Sequence, residues 1–337
     1  MHLRYRTRVH LLIVLVVFTF LYFSFVVPSL RVSNQLYKAW PQRRIIVFGD
    51  SFSDTNPYFV DPPDDDLRPI RDPNEGKRWT EVVCDEMLCD SLENYARSSP
   101  ATHNWARTGA VIHNGIFRDA ALNSNISNFR STELLPDLGM QVQQWIRYED
   151  GKSFRDLYED DIIFTVFFGM WDIWQYAMLD REAALAAISA TVEWLFQQLD
   201  VIIQHSPSSP RIVVPSLWDM TFTPRFRNKL TKEMNAFTGE QSHKMVYLIK
   251  YWNTQLFNLA RTWPSGKLYV LDMEHWVAEN IRAQQLFNLG LANANGNDYR
   301  LPEFTDVSNP CLRLVQTSPD EAILIHPCEF PGRYLFW

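Results

Sequence analysis

A three-layer α/β/α sandwich built on a mostly parallel sheet is the fold this sequence predicts. Three observations carry the prediction. Short runs of β-branched and aromatic residues recur along the chain, stretches with apolar residues at helical spacing lie between them, and the two patterns alternate. Composition agrees: 46% hydrophobic and 14% aromatic residues over 337 positions suffice for a large core and exclude a disordered polymer. Only 12 glycines and no fixed period exclude collagen-like and solenoid architectures. The 32 Lys and Arg against 39 Asp and Glu leave a net charge of −7, which offers no basic surface to a phosphate backbone. No nucleic-acid partner is expected.

First in chain order, Arg4, Arg6 and Arg8 precede an uncharged apolar run over residues 11–27. Its 17 residues lie at the short end of what spans a bilayer and exceed the usual apolar region of a signal peptide. No Ala-x-Ala-like site follows Val27, which favours an uncleaved signal anchor over a cleaved signal peptide. Residues 1–10 then form a cytosolic basic segment, 11–27 a transmembrane helix and 28–42 a linker. Under the positive-inside rule the domain of residues 43–337 faces the secretory lumen or the cell exterior. Cleavage would instead release that domain as a secreted protein. A glycosylation sequon at Asn125, Ile126 and Ser127 fits this side of the membrane.

The domain opens with residues 45–48, Ile-Ile-Val-Phe, a continuous run that suits a strand buried on both faces of a parallel sheet. Similar runs at 162–168, 211–215 and 268–271 predict further strands. Helical spacing covers 79–88, 181–205 and 242–263. The Asp-, Asn- and Pro-rich segments 58–73 and 293–310 read as surface loops. In such a sheet ligands bind beyond the carboxyl ends of the strands.

Four cysteines allow three pairings, and an oxidising lumen permits two bridges. Cys311 and Cys328, which flank a loop, make the better pair. Cys84 and Cys89 fall in the 79–88 helix pattern, where a five-residue step turns about 140° around the axis. They bridge only if the helix ends between them; two buried thiols are the other reading. Neither pair has the companions a zinc site needs, and no His-Glu-x-x-His motif points to a metal hydrolase. No metal or other cofactor is expected.

Directly after the first strand stands Gly49-Asp50-Ser51-Phe52-Ser53-Asp54. A serine at the carboxyl end of a buried strand sits on a tight turn where substrates arrive, which is the place for a nucleophile. An ordinary turn capped by Asp50 or Ser51 is the competing reading. Ser53 replaces the second glycine of the Gly-x-Ser-x-Gly elbow, so this is not the α/β-hydrolase arrangement. Two more blocks follow in order: Asn94-Tyr95-Ala96 with Asn104-Trp105-Ala106-Arg107-Thr108-Gly109-Ala110, and then Phe168-Gly169-Met170-Trp171-Asp172. Together the three resemble the blocks of the GDSL or SGNH hydrolase superfamily of serine esterases, in particular its fungal acetylesterase-like and lipase-like members, over residues 43–337.

The resemblance implies a flavodoxin-like sheet, Ser51 as nucleophile with Phe52 in place of the usual leucine, and the Gly109 N–H in an oxyanion hole. It implies hydrolysis of short acyl esters, such as acetyl, of carbohydrate or lipid, on a small-molecule or polysaccharide substrate. Family members take a third oxyanion donor from an Asn side chain; here Trp171 stands at that place and offers one indole N–H on a bulkier ring. Either Trp171 donates, or it packs with Trp174 around the strand end and the hole keeps two donors. Asp172 reads as a turn or cap residue rather than a catalytic acid.

A serine nucleophile also needs a base, which the family supplies from an Asp-x-x-His block after a segment resembling Cys328-Glu329-Phe330-Pro331-Gly332-Arg333-Tyr334-Leu335-Phe336-Trp337. This sequence stops at Trp337. His326 precedes a proline as the family's histidine does, but Ile323 stands where the Asp should be. Asp272-Met273-Glu274-His275 has the spacing, but by order it falls after the penultimate strand. The expectation is an esterase impaired for want of its Asp and His. Its rival is a catalytically inactive glycan-binding protein of the same fold, with Trp105, Trp171 and Trp174 stacking on sugar rings.

Overall fold

A computed structural model describes residues 43–50, 52–53, 77, 79–96, 110–123, 137–150, 161–206, 209–223, 239–291, 301–311, 313–315, 324–326 and 328–336. Strands β1 (Arg43–Gly49), β2 (Ser91–Asn94), β3 (Asp161–Phe167), β4 (Arg211–Pro215) and β5 (Lys267–Leu271) form one sheet in the order β2-β1-β3-β4-β5. Every neighbouring pair in it is parallel, so all five carboxyl ends share one edge. Strand order reverses between β1 and β3, the point at which such sheets open a crevice.

The described helices are α1 (Trp79–Glu86), α2 (Asn114–Asn123), α3 (Leu138–Glu149), α4 (Met170–Tyr176), α5 (Arg181–His205), α6 (Gly239–Thr262) and α7 (Met273–Asn288). Alternate residues of each central strand feed different cores. Ile46 and Phe48 of β1, Phe164 and Val166 of β3 and Ile212 of β4 join a large cluster with α2 to α6, in which Trp145 lies edge-on to Phe164 at 5.0 Å. Ile45, Val47 and Ile163 face the other way, onto Val83 and Cys84 of α1. Helices therefore cover both faces, which is why these strands read as unbroken apolar runs. β5 is the edge and alternates exposed with half-buried residues.

The expected strands match within one or two residues, and the helix over 181–205 matches at both ends. Segment 293–310 was expected to be a loop throughout; its last five residues form β6 (Asp306–Pro310), paired in parallel with β9 (Tyr334–Phe336). Asp306 accepts hydrogen bonds from the Ser308 and Asn309 N–H groups, so the polar letters that suggest a loop here shape an irregular strand. β7 (Arg313–Val315) and β8 (Leu324–His326) make a separate antiparallel pair. Among the described residues no helix is long and apolar enough to cross a membrane; residues 11–27 and Asn125 lie outside them.

Both cysteine pairs form disulfides, Cys84–Cys89 and Cys311–Cys328. The first is possible because α1 does end between its cysteines. Leu88 turns left-handed (φ 52°), its N–H donates to the Asp85 carbonyl at 3.1 Å, and the Cys89 N–H reaches back to the Cys84 carbonyl at 2.9 Å. That is a Schellman helix end, which brings the residue three before the end against the one two beyond it. Here the contact is a covalent bond.

At the amino edge of the sheet, buried charge is matched. Asp161 of β3 accepts from Arg43 of β1 at 3.0 Å and from Arg211 of β4 at 2.5 Å. Burial works to raise the Asp161 carboxyl, and the two guanidinium groups outweigh it and hold it below its ordinary value. Arg44, only 4% exposed, pairs with Glu93 of β2 at 2.7 Å and Glu149 of α3 at 2.5 Å. Burial works against its charge, and those carboxylates keep its pKa above the ordinary value.

Candidate active site

At the carboxyl edge, β1 ends in a turn that its own sequence builds. A Cβ at Gly49 would lie 2.7 Å from the Ser53 Cβ, so only glycine lets the chain fold back there. The Ser53 N–H donates to the Asp50 carbonyl at 3.0 Å and the Phe52 N–H to Asp50 Oδ1 at 3.0 Å. Asp50 thus caps its own turn, as the competing reading of this motif required. Asn94, at the end of β2, donates to the Ser53 carbonyl at 2.8 Å. From α3, Gln141 accepts the Gly49 N–H at 3.0 Å and donates to the Gly49 carbonyl at 2.8 Å. Ser51 lies outside the described residues, between two neighbours that stand at this strand end.

The same device recurs two strands away. Asn253 of α6 accepts the Leu217 N–H at 2.9 Å and donates to the Leu217 carbonyl at 2.8 Å, just beyond β4. Its neighbour Trp252 packs against the turn after β3, where Gly169 has φ +114° and a Cβ would lie 2.6 Å from the indole Cζ2. That turn launches α4, with Trp171 half-buried and Asp172 buried in its first residues. Asp172 is not a cap of its own helix. Its Oδ1 accepts the Ile112 N–H at 3.1 Å, tying α4 to residues 110–112, directly after Gly109 in the chain. Gly109 itself lies outside the described residues.

Asp50 and Asp172 are both fully buried acids with no basic partner among the described residues. Burial pushes the Asp50 carboxyl up to about 8; the Phe52 N–H pulls it down and the Asp172 charge adds to the rise. Burial pushes Asp172 up to about 7, against the pull of the Ile112 N–H. Among the described residues Asp50 Oδ2 has no hydrogen-bond partner, and neither do Ser53 Oγ, Thr80 Oγ1, Trp79 Nε1 or Trp218 Nε1. These five groups come from the ends of β1 and β4 and the start of α1. Buried polar atoms are nearly always paired, and perturbed carboxyls gather at functional sites, so this edge is the candidate site.

Aromatic rings form its wall. Phe52 meets Trp218 edge-on at 5.4 Å and Phe167 at 6.1 Å; Phe167 lies 5.5 Å from Trp218 and 6.3 Å from Trp79. Sequence reading singled out Trp105, Trp171 and Trp174 and missed Trp79 and Trp218. Each of those follows a strand or opens a helix at the carboxyl edge, which was the available signal.

Three of the described histidines are engaged or stand apart from this turn. Asp272 Oδ1 accepts the His275 backbone N–H at 3.1 Å, so the Asp-x-x-His spacing is here the N-cap of α7. Both residues are exposed. They follow β5, three strand positions and about 14 Å from β1 at the usual spacing. His113 accepts the Gly115 N–H at 3.1 Å and lies edge-on to Trp194 at 4.7 Å. His205, the last residue of α5, bonds the Val201 carbonyl at 2.9 Å. The backbone of His326 lies in β8, paired with Arg313. Among the described residues no group of His, Cys, Asp and Glu could hold a metal. No protein-family model matches the chain, and no curated protein compared with it does either.

Proposed function

We propose that the chain is a serine ester hydrolase of the GDSL type, with Ser51 as nucleophile and short acyl esters of carbohydrate or lipid as substrates. One observation carries the reading. The residues on either side of Ser51 stand at the carboxyl end of β1, beside the β1/β3 reversal, in a turn clamped from α3 and lined by unpaired buried groups. Preorganised N–H donors aimed at the developing oxyanion are the largest asset such a site can have. On this reading Ser51 and Gly109 supply two, and Trp171, in the first turn of α4, is the candidate for the third. The finer fold assignment, a flavodoxin-like SGNH sheet, goes with this proposal, as does the N-terminal anchor with the domain on the lumenal side; two disulfides suit an oxidising compartment. The test is hydrolysis of p-nitrophenyl acetate. The activity expected is low, because His113, His205 and His275 are engaged or placed away from the β1 turn, and triad members act as a unit. Ser51→Ala should therefore lower kcat/KM by only about tenfold, and equal rates in the two proteins would refute the assignment.

A second reading rests on the histidines. His113, His205 and His275 are engaged or placed away from the β1 turn, which favours a protein that keeps the cleft and binds glycan without hydrolysing it. Oligosaccharide binding with no Ser51-dependent turnover is the result that selects it.

A further inference from the structure

Among the described residues at the tip of β1, Phe52 is the one large apolar side chain that is exposed, with 42% of its surface accessible where Ile45 to Phe48 have none. Its exposure is not looseness. Trp218 holds it edge-on, Phe167 lies beneath, and Phe167 is itself braced by Trp79, so rings from three other elements support this one. A supported aromatic ring offers contact area with little rotamer freedom left to lose on binding. Short alkyl groups cannot cover the face of such a ring. A flat six-membered ring can.

We propose that Phe52 and Trp218 form a ring-binding subsite beside position 51, which takes the flat face of a six-membered ring carried by the substrate ester. The proposal rests on the esterase reading for the identity of the neighbouring group and adds the class of substrate. An aryl ring and the C–H face of a pyranose share this chemistry.

The test is a titration of the full chain carrying Ser51→Ala, followed by tryptophan emission, with phenyl acetate, 6-O-acetylglucose and ethyl acetate as probes. At least one ring-bearing ester should bind about tenfold more tightly than ethyl acetate, an advantage of the size ring stacking supplies. Phe52→Leu, an apolar change at an exposed position, should cut that advantage to roughly threefold or less while the melting temperature holds. Preference for phenyl acetate alone assigns an aryl ester, for acetylglucose alone a sugar ester, and for both the shared ring face. Equal binding of all three, or an undiminished preference in Phe52→Leu, overturns the proposal. Because no turnover is needed, the two readings fail separately. Ring binding without Ser51-dependent hydrolysis of p-nitrophenyl acetate by the parent chain retires the esterase alone. Hydrolysis without ring preference retires the subsite alone.

Discussion

The two ends of the same three strands treat buried charge in opposite ways. At the amino edge the buried Arg44 meets two carboxylates and the half-buried Asp161 meets two guanidinium groups, so both have their countercharge. At the carboxyl edge Asp50 and Asp172 lie deeper and have a backbone N–H each, with like charge as their electrostatic neighbour. A fold tolerates unmatched polar groups where function uses them, and the contrast marks one edge as scaffold and the other as site.

The largest expected effect breaks the scaffold side. Arg44→Ala leaves Glu93 and Glu149 without their shared cation, and removing one partner of a buried ion pair costs about 3–5 kcal/mol. A scanning melt should record a fall of roughly 5–8 °C for a domain of this size. Replacing Arg44, Glu93 and Glu149 together by apolar residues of similar volume should recover most of it, because no ion is then left alone.

Next comes the site edge. Gly169→Ala imposes a side chain on a φ of +114° and drives its Cβ into Trp252, for a loss of about 2–3 kcal/mol in denaturant titration. The pH dependence separates the edges further. Both site carboxyls are raised above their unfolded value, so between about pH 4 and pH 8 the folded chain keeps protons that the unfolded chain has lost. Stability from this source is complete at low pH and is lost as the pH rises through 7 and 8. Melting temperature should therefore drop by several degrees from pH 5.5 to pH 9, and Asp50→Asn should flatten that drop and melt above the parent at pH 9. A parent profile that rises over this range would contradict the burial argument. Asp161, held low by its arginines, contributes the opposite slope in the acid range.

The smallest effect tests whether strain belongs only to the site. Leu88, 83% exposed and left-handed, sits at the amino edge beside Asp90, whose side chain accepts the Arg43 N–H at 2.8 Å. Leu88→Gly removes a backbone penalty and should stabilise by about 1 kcal/mol without touching any activity, as a chemical melt would show.

How much of this was legible in the sequence depends on how far each signal reaches along the chain. β1, β3, β4 and α5 advertise themselves through local periodicity, because neighbours in sequence share one buried environment. β2, only Ser91–Asn94, carries two polar residues whose partners are Arg44 and the Ser53 carbonyl, so it has no apolar run to read. The α3 pattern is hidden for the same reason: Gln141 and Glu149 are polar letters on its buried face. The strand end at Gly49 and Asp50 was readable from the apolar run before it. The support of its turn was not, since Gln141 binds Gly49 across 92 positions and Asp172 binds Ile112 across 60. The Asp-x-x-His spacing shows the converse hazard, for the spacing that suits a catalytic pair also suits an N-cap and its third helical residue.

The Gln141 clamp has a mechanical consequence. Its amide offers Gly49 the same donor and acceptor as a peptide group, so one side chain of α3 serves the tip of β1 as a miniature third strand. The tip cannot advance, retract or rotate without carrying the helix with it. Deuterium uptake at the Gly49 amide should then follow the undocking of α3 rather than fraying of the sheet. Whatever tilts that helix, by substitution or by a molecule leaning on its outer face, retunes the reach of position 51 and leaves its immediate neighbours unchanged.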